Sequence, residues 1–195
     1  MTTATGSAAT GTPAPLAPVL QTVYTARGVF AVVWAVLLLV TASTLDSITP
    51  VRAVTVVLLV LYPLVDLAAA LVDLRSGRAS RPAALYVNAA LSLLAAVGLA
   101  FAVGSDLAAV LRVWGAWAVT AGIVQLVVAV RRRGLGGQWA QVLSGGISVL
   151  AGGSFLAQAG SDSASLGSLA GYATLGGLFF LVSAVRLHRS AQVVR

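Results

Sequence analysis

The chain has 195 residues, of which 59% are hydrophobic and only 9% are charged. Soluble domains carry about 25% charged residues, so this composition excludes an ordinary water-soluble domain and indicates a protein that crosses a membrane several times. The net charge of +7 is also compatible with nucleic-acid binding. The arginines, however, stand at the ends of apolar segments rather than along one polar face, which favours a membrane protein.

The chain begins with a polar tail and continues into six apolar segments. Residues 1–23 are rich in Thr, Ala, Gly and Pro and lack the basic start of a secretory signal, so we predict a disordered tail. Each segment is near the length that a tilted membrane helix needs. The approximate bounds of the segments are 28–43, 51–74, 83–103, 106–133, 139–159 and 166–185. We therefore predict a six-helix transmembrane domain over 24–190 and a C-terminal tail over 191–195.

The distribution of arginine predicts the orientation of these segments. Of the 12 basic residues, all of them arginines, only Arg52 and Arg112 fall at one end of the segments, and the others fall at the opposite end. Because arginine is enriched in cytoplasmic loops, both termini are expected in the cytoplasm. Three turns then face outward.

The segments also repeat in pairs. A shift of 56 residues for the first helix of a pair and 55 for the second superposes the middle pair on the last. The matched positions include Asn88 with Ser144, Ser92 with Ser148, Trp117 with Tyr172 and Arg131 with Arg186. The first pair matches more loosely, with Arg27 against Asn88.

This repeat predicts an all-α membrane protein of three like-oriented (parallel-repeat) helical hairpins, over about 24–78, 83–134 and 138–189. The alternative is that alanine-rich helices align by chance. Because lipid gives helices no hydrophobic reason to associate, small residues such as Gly122 and Gly177 are expected at the contacts between hairpins.

Asp66 falls well inside a predicted membrane helix, about 12 Å from its arginine-bearing end. An unpaired carboxylate there is costly. We therefore expect Arg27 to reach it, with Asn88 and Ser144, at the repeat-equivalent positions of Arg27, adding hydrogen bonds. Three interpretations stay open: a buried pin that fixes helix register, a group that handles protons or a solute, and an interfacial carboxylate. Asp73 shares its helix face and is expected to reach lipid headgroups.

The outer face offers a second set of candidates. Asp46, Asp106 and Asp162 each occupy one outward turn, and they would titrate only in strong acid, as an acid-stress protein could require. Asp106 and Asp162 also precede helices, where Asp is a favoured N-cap. Arg112 is expected to extend to outer phosphates, or to act as a counter-ion in a cavity between helices.

Catalytic chemistry has few candidates here. The chain has no Cys, Lys or Glu and a single histidine, His188. It also has no phosphate-binding loop and no His/Glu metal pair. We therefore predict no enzymatic activity, no metal and no other cofactor.

Four stretches resemble the HdeD family: ARGVFA at 26–31, YPLVD at 62–66, GAWAVTAGI at 115–123 and WAQVLSG at 139–145. The resemblance covers about residues 24–190, with Leu67 standing where family members often have Gly. The resemblance implies a bacterial protein of the cytoplasmic (inner) membrane, with six helices built from short repeats and a link to acid resistance.

Two hypotheses for function follow. The first is a non-enzymatic, multi-pass inner-membrane protein of the acid or envelope stress response, acting through packing or partner contacts. The second is a small channel or transporter that moves protons or a small solute between the hairpins near Asp66. The expected partners are the lipid bilayer and either another copy of the chain or another membrane protein, not nucleic acid.

Overall fold

The structure, a computed structural model, describes residues 16–42, 50–75, 82–135, 138–162 and 164–193. Most of the predicted N-terminal tail and the outward aspartate Asp46 lie outside these ranges. The described residues form helices and the turns between them. The helices are α1 (Leu16–Thr41), α2 (Pro50–Arg75), α3 (Pro82–Ala102), α4 (Leu107–Arg131), α5 (Gln138–Gln158) and α6 (Leu166–Val193), with a short 3₁₀ helix at Arg133–Leu135.

All six helices are long and apolar enough to cross a membrane. Their apolar spans run from 21 to 25 residues, and at about 1.5 Å per residue even the shortest covers a hydrocarbon core of about 30 Å. Many large apolar side chains, among them Val40, Phe101 and Leu150, are exposed on the outside of the bundle. A polytopic membrane protein fits this arrangement, because lipid would cover these side chains.

The first and last helices are longer than the sequence predicted. α1 begins at Leu16, so residues 16–23 are helical and do not belong to a disordered tail, and α6 continues to Val193. The reason is a contact between the two helices, where Leu20 and Tyr24 of α1 pack on Phe180, Ala184 and Leu187 of α6. This small apolar cluster stabilises helix in a region whose composition is otherwise typical of a tail.

The helices form a closed ring in chain order. Each packs on the next, α6 also packs on α1, and the most extensive contacts are α4 with α5, α1 with α6, and α2 with α3. Each of these three pairs joins two different predicted hairpins. The ring therefore brings residues from every helix to a common interior.

Glycines allow two of these pairs to approach closely. A Cβ added at Gly152 of α5 would lie 2.7 Å from the carbonyl oxygen of Gly115 in α4, and one at Gly122 would lie 2.9 Å from that of Gly145. α1 and α6 meet similarly, because a Cβ at Gly28 would lie 2.9 Å from the carbonyl oxygen of Gly177. The predicted place of Gly122 and Gly177 between hairpins is confirmed.

Replacing Gly152 by alanine should therefore destabilise the bundle. The added methyl group would meet the backbone of α4, and overpacking of this kind costs about 1–3 kcal/mol. The adjacent Gly153 is the matched control, since nothing lies within 4 Å of a Cβ added there. Thermal unfolding of both alanine variants in detergent tests the difference, and equal midpoints would contradict the close packing of α4 on α5.

Candidate functional site

A polar cavity lies on the axis of the ring, toward the ends of the helices that carry most of the arginines. Its volume is about 80 Å³, and every helix contributes to its wall. Its polar lining residues are Tyr24, Arg27, Asp66, Asp73, Asn88, Gln125, Arg132 and Gln141. Each water occupies about 30 Å³ of liquid, so the space suits a few water molecules or one small solute.

Asp66 forms the deepest charged contact of this cavity. It is nine residues from the end of α2 at Arg75, or about 14 Å at the helical rise. One carboxylate oxygen accepts a hydrogen bond from the Arg27 guanidinium in a salt bridge. The other accepts from the Asn88 amide at 2.7 Å and from the Ser92 hydroxyl at 2.8 Å. Charge and hydrogen bonds thus offset the cost of burying this carboxylate.

Two contacts extend this cluster to other helices. The Trp117 indole of α4 donates to the Ser92 hydroxyl at 3.1 Å. The Arg27 guanidinium carbon also lies 4.2 Å from the centre of the Phe180 ring in α6, a cation–π contact. The Asp66 cluster, meaning Asp66 with Arg27, Asn88, Ser92 and Trp117, therefore connects α1, α2, α3 and α4.

A second ion pair lies near the arginine-bearing end of the cavity. The Arg132 guanidinium donates to both carboxylate oxygens of Asp73, at 2.7 and 3.2 Å, and both side chains are buried. Burial acts to lower the pKa of Arg132, but the hydrogen bonds to Asp73 and its negative charge outweigh burial and raise that pKa above its ordinary value. Asp73 was expected to reach lipid headgroups. That expectation is wrong, because the turn after α4 brings Arg132 over it.

The wall opposite Asp66 carries neutral polar groups. The Gln125 amide donates to the side-chain oxygen of Gln141 at 3.0 Å, and the Gln141 amide donates to the Ser183 hydroxyl at 2.9 Å. These contacts join α4, α5 and α6. The cavity therefore presents two ion pairs on one side and amides on the other, with no net charge from the paired groups.

Aromatic rings fill the bundle on the other side of Asp66. Trp34, Tyr62, Trp114 and Trp117 form this aromatic cluster, with ring centres 4.6 to 5.9 Å apart. The Trp34 indole donates to the carbonyl of Leu58 at 2.6 Å. Trp34 and Trp114 are almost completely buried. Packed rings thus occupy the bundle between Asp66 and its far end.

The structure brings together three of the four residues predicted for the intramembrane cluster. Arg27, Asp66 and Asn88 are in contact. Ser144 is buried elsewhere, and its carbonyl accepts a hydrogen bond from Ser148 at 2.9 Å. Ser92 takes the expected place of Ser144, because α3 is the neighbour of α2 in the ring and α5 is not. Its position four residues after Asn88, on the same helix face, was the signal that could have identified it.

The predicted outer residues lie apart from the cavity. The Asp106 carboxylate accepts from the backbone N–H of Ala109 at 2.6 Å, so its N-cap role is confirmed. Asp162 is exposed and does not cap α6, because the hydroxyl of Ser165 takes that role by accepting from the N–H of Gly167 at 3.0 Å. Arg112 is exposed on α4. Within the described residues, no three acidic or histidine side chains come close enough to hold a metal ion.

Comparison with known proteins does not assign this chain to a family. No family model, no curated protein and no solved structure matches it. The function is therefore inferred from the cavity and its two ion pairs.

Replacing Asp66 alone by leucine should destabilise the protein strongly. It would leave the Arg27 charge without its partner inside the bundle, and breaking a buried ion pair costs about 3–5 kcal/mol. The double change Arg27→Met with Asp66→Leu should recover most of that loss, because both charges are then removed. The free energy of unfolding in lipid bicelles should be measured for the single and the double variant, with Arg112→Met as an exposed control. A double variant no more stable than the single one would show that the pair is not coupled.

Proposed function

We propose that the chain is a non-enzymatic protein of the bacterial cytoplasmic membrane, similar to the HdeD family, whose axial cavity handles protons or a small polar solute. The observation that carries this proposal is the polar cavity that reaches Asp66. A purely structural ion pair requires no such space beside it. Intramembrane carboxylates that border cavities commonly serve in proton or solute pathways.

The cavity extends from Asp66 toward the arginine-bearing end of the bundle. The arginine-bearing end leads past Asp73 and Arg132 to Asp66, and the aromatic cluster closes the path beyond. A channel that is open throughout would need a continuous path, so the geometry favours uptake from one side followed by movement of the aromatic rings. The inference that both termini are cytoplasmic places the accessible end in the cytoplasm.

We also propose that the three hairpins are like-oriented copies of one unit. At positions matched by the repeat, Trp117 bonds Ser92 at 3.1 Å and Tyr172 bonds Ser148 at 2.9 Å. Each contact links the two helices of one predicted hairpin. The recurrence supports an origin from one hairpin unit, with the Arg27–Asp66 ion pair as the specialised feature of the first copy.

A role in acid or envelope stress is the second candidate. The satisfied hydrogen bonds of Asp66 and the close glycine contacts favour a rigid bundle that acts through packing or partner contacts. In that case Asp66 is a pin that fixes the helices. Its loss would then lower stability without changing any flux.

Proton flux into proteoliposomes distinguishes the two candidates. With a pH-sensitive dye inside, vesicles that contain the wild type should acidify faster than protein-free vesicles after an external acid pulse. Asp66→Asn should return the rate to that of protein-free vesicles, because an amide cannot release a proton at this position, while its single oxygen keeps part of the hydrogen bonding. Asp106→Asn is the matched control on an exposed helix cap. Wild-type flux equal to that of empty vesicles, or flux unchanged by Asp66→Asn, would refute proton handling and leave the structural role.

A further inference from the structure

A groove opens on the outside of the bundle between α3 and α4, at the arginine-bearing end. Its volume is about 230 Å³, and its walls are mostly alanine and valine side chains with Arg131 among the charged residues that line it. Ala83 and Ala84 contribute only methyl groups on the α3 side. The space is therefore apolar within and basic at its margin.

At the matched place between α5 and α6, an aromatic side chain of the protein lies against the arginine. Trp139 stands 56 residues after Ala83 and Arg186 stands 55 residues after Arg131, which are the two shifts of the sequence repeat. The guanidinium carbon of Arg186 lies 4.6 Å from the centre of the Trp139 ring. That contact joins a cation to a flat apolar group. In the α3–α4 groove the indole is replaced by a methyl group.

Arg131 consequently lacks the aromatic partner that Arg186 has in Trp139. It is exposed, and among the described residues it has no hydrogen bond, ion pair or ring contact. The neighbouring Arg132 also lines the groove, but its guanidinium is engaged by both oxygens of Asp73. Arg131 is therefore the cation of the groove whose donors are available to a ligand.

We propose that this groove binds one anionic phospholipid. Its phosphate would accept hydrogen bonds from Arg131, and part of an acyl chain would lie over Ala83 and Val127. A free phosphate ion would leave the apolar walls uncovered. A second copy in the same orientation would bring its own arginines to the same membrane depth and meet like charge. Basic pockets between transmembrane helices are suited to acidic headgroups.

Lipid retention tests this site on the full-length chain. The protein in a neutral detergent is titrated with dioleoyl-phosphatidylglycerol or with dioleoyl-phosphatidylcholine, and native mass spectrometry counts the lipids bound. The wild type should retain one phosphatidylglycerol in preference to phosphatidylcholine. Arg131→Gln should weaken that binding about five-fold, the effect of one arginine at a membrane surface. Arg112→Gln, at the other end of the same helix, should leave it unchanged.

A second variant fills the groove without changing charge. Ala83→Trp copies the arrangement of Trp139 and Arg186 and should displace the bound phosphatidylglycerol, with helical content retained by circular dichroism. If that variant does not fold, Ala83→Leu provides the same test with a smaller side chain. Equal retention of both lipids by the wild type would overturn the proposal. So would phosphatidylglycerol binding that neither Arg131→Gln nor filling of the groove reduces.

Discussion

A carboxylate buried inside a ring of apolar helices needs an opposite charge and hydrogen-bond donors, and Asp66 has both. Arg27 supplies the charge, and Asn88 and Ser92 supply two further hydrogen bonds. These partners come from the two helices that flank α2 in the ring. These contacts therefore fix how α1, α2 and α3 are rotated relative to one another.

The close glycine contacts complete the ring around this cluster. α4 packs on α5, and α1 on α6, so closely that a Cβ at Gly115, Gly152 or Gly28 would lie within 3.0 Å of backbone atoms of the neighbouring helix. Larger side chains fill the interior that these closely packed helix pairs enclose. Aromatic rings fill one half of it, and charged and amide groups line the other half. The division between a packed half and a polar half gives the bundle its one-sided cavity.

Much of this architecture could be read from the sequence, because apolar length is a strong signal for a membrane helix. The ends of α1 and α6 could not, since the helical extension at Leu20 depends on a contact with Leu187 far along the chain. The Arg27, Asp66 and Asn88 contacts were predictable because polar groups inside apolar helices have few partners. The pairing of Arg132 with Asp73 could not be predicted, because Arg132 lies in the turn after α4 and the sequence does not show which of three consecutive arginines that turn directs inward.

The proposed function requires an aqueous cavity that opens at the arginine-bearing end of a membrane-embedded bundle. The chain has no cysteine, so a single Gln125→Cys variant, with Val127→Cys on the exposed side of the same helix as its control, can be labelled without background. A membrane-impermeant thiol reagent should modify the cysteine at position 125 from the cytoplasmic side only, and the cysteine at 127 from neither side. Labelling of position 125 from the outside, or from neither side, would contradict the account.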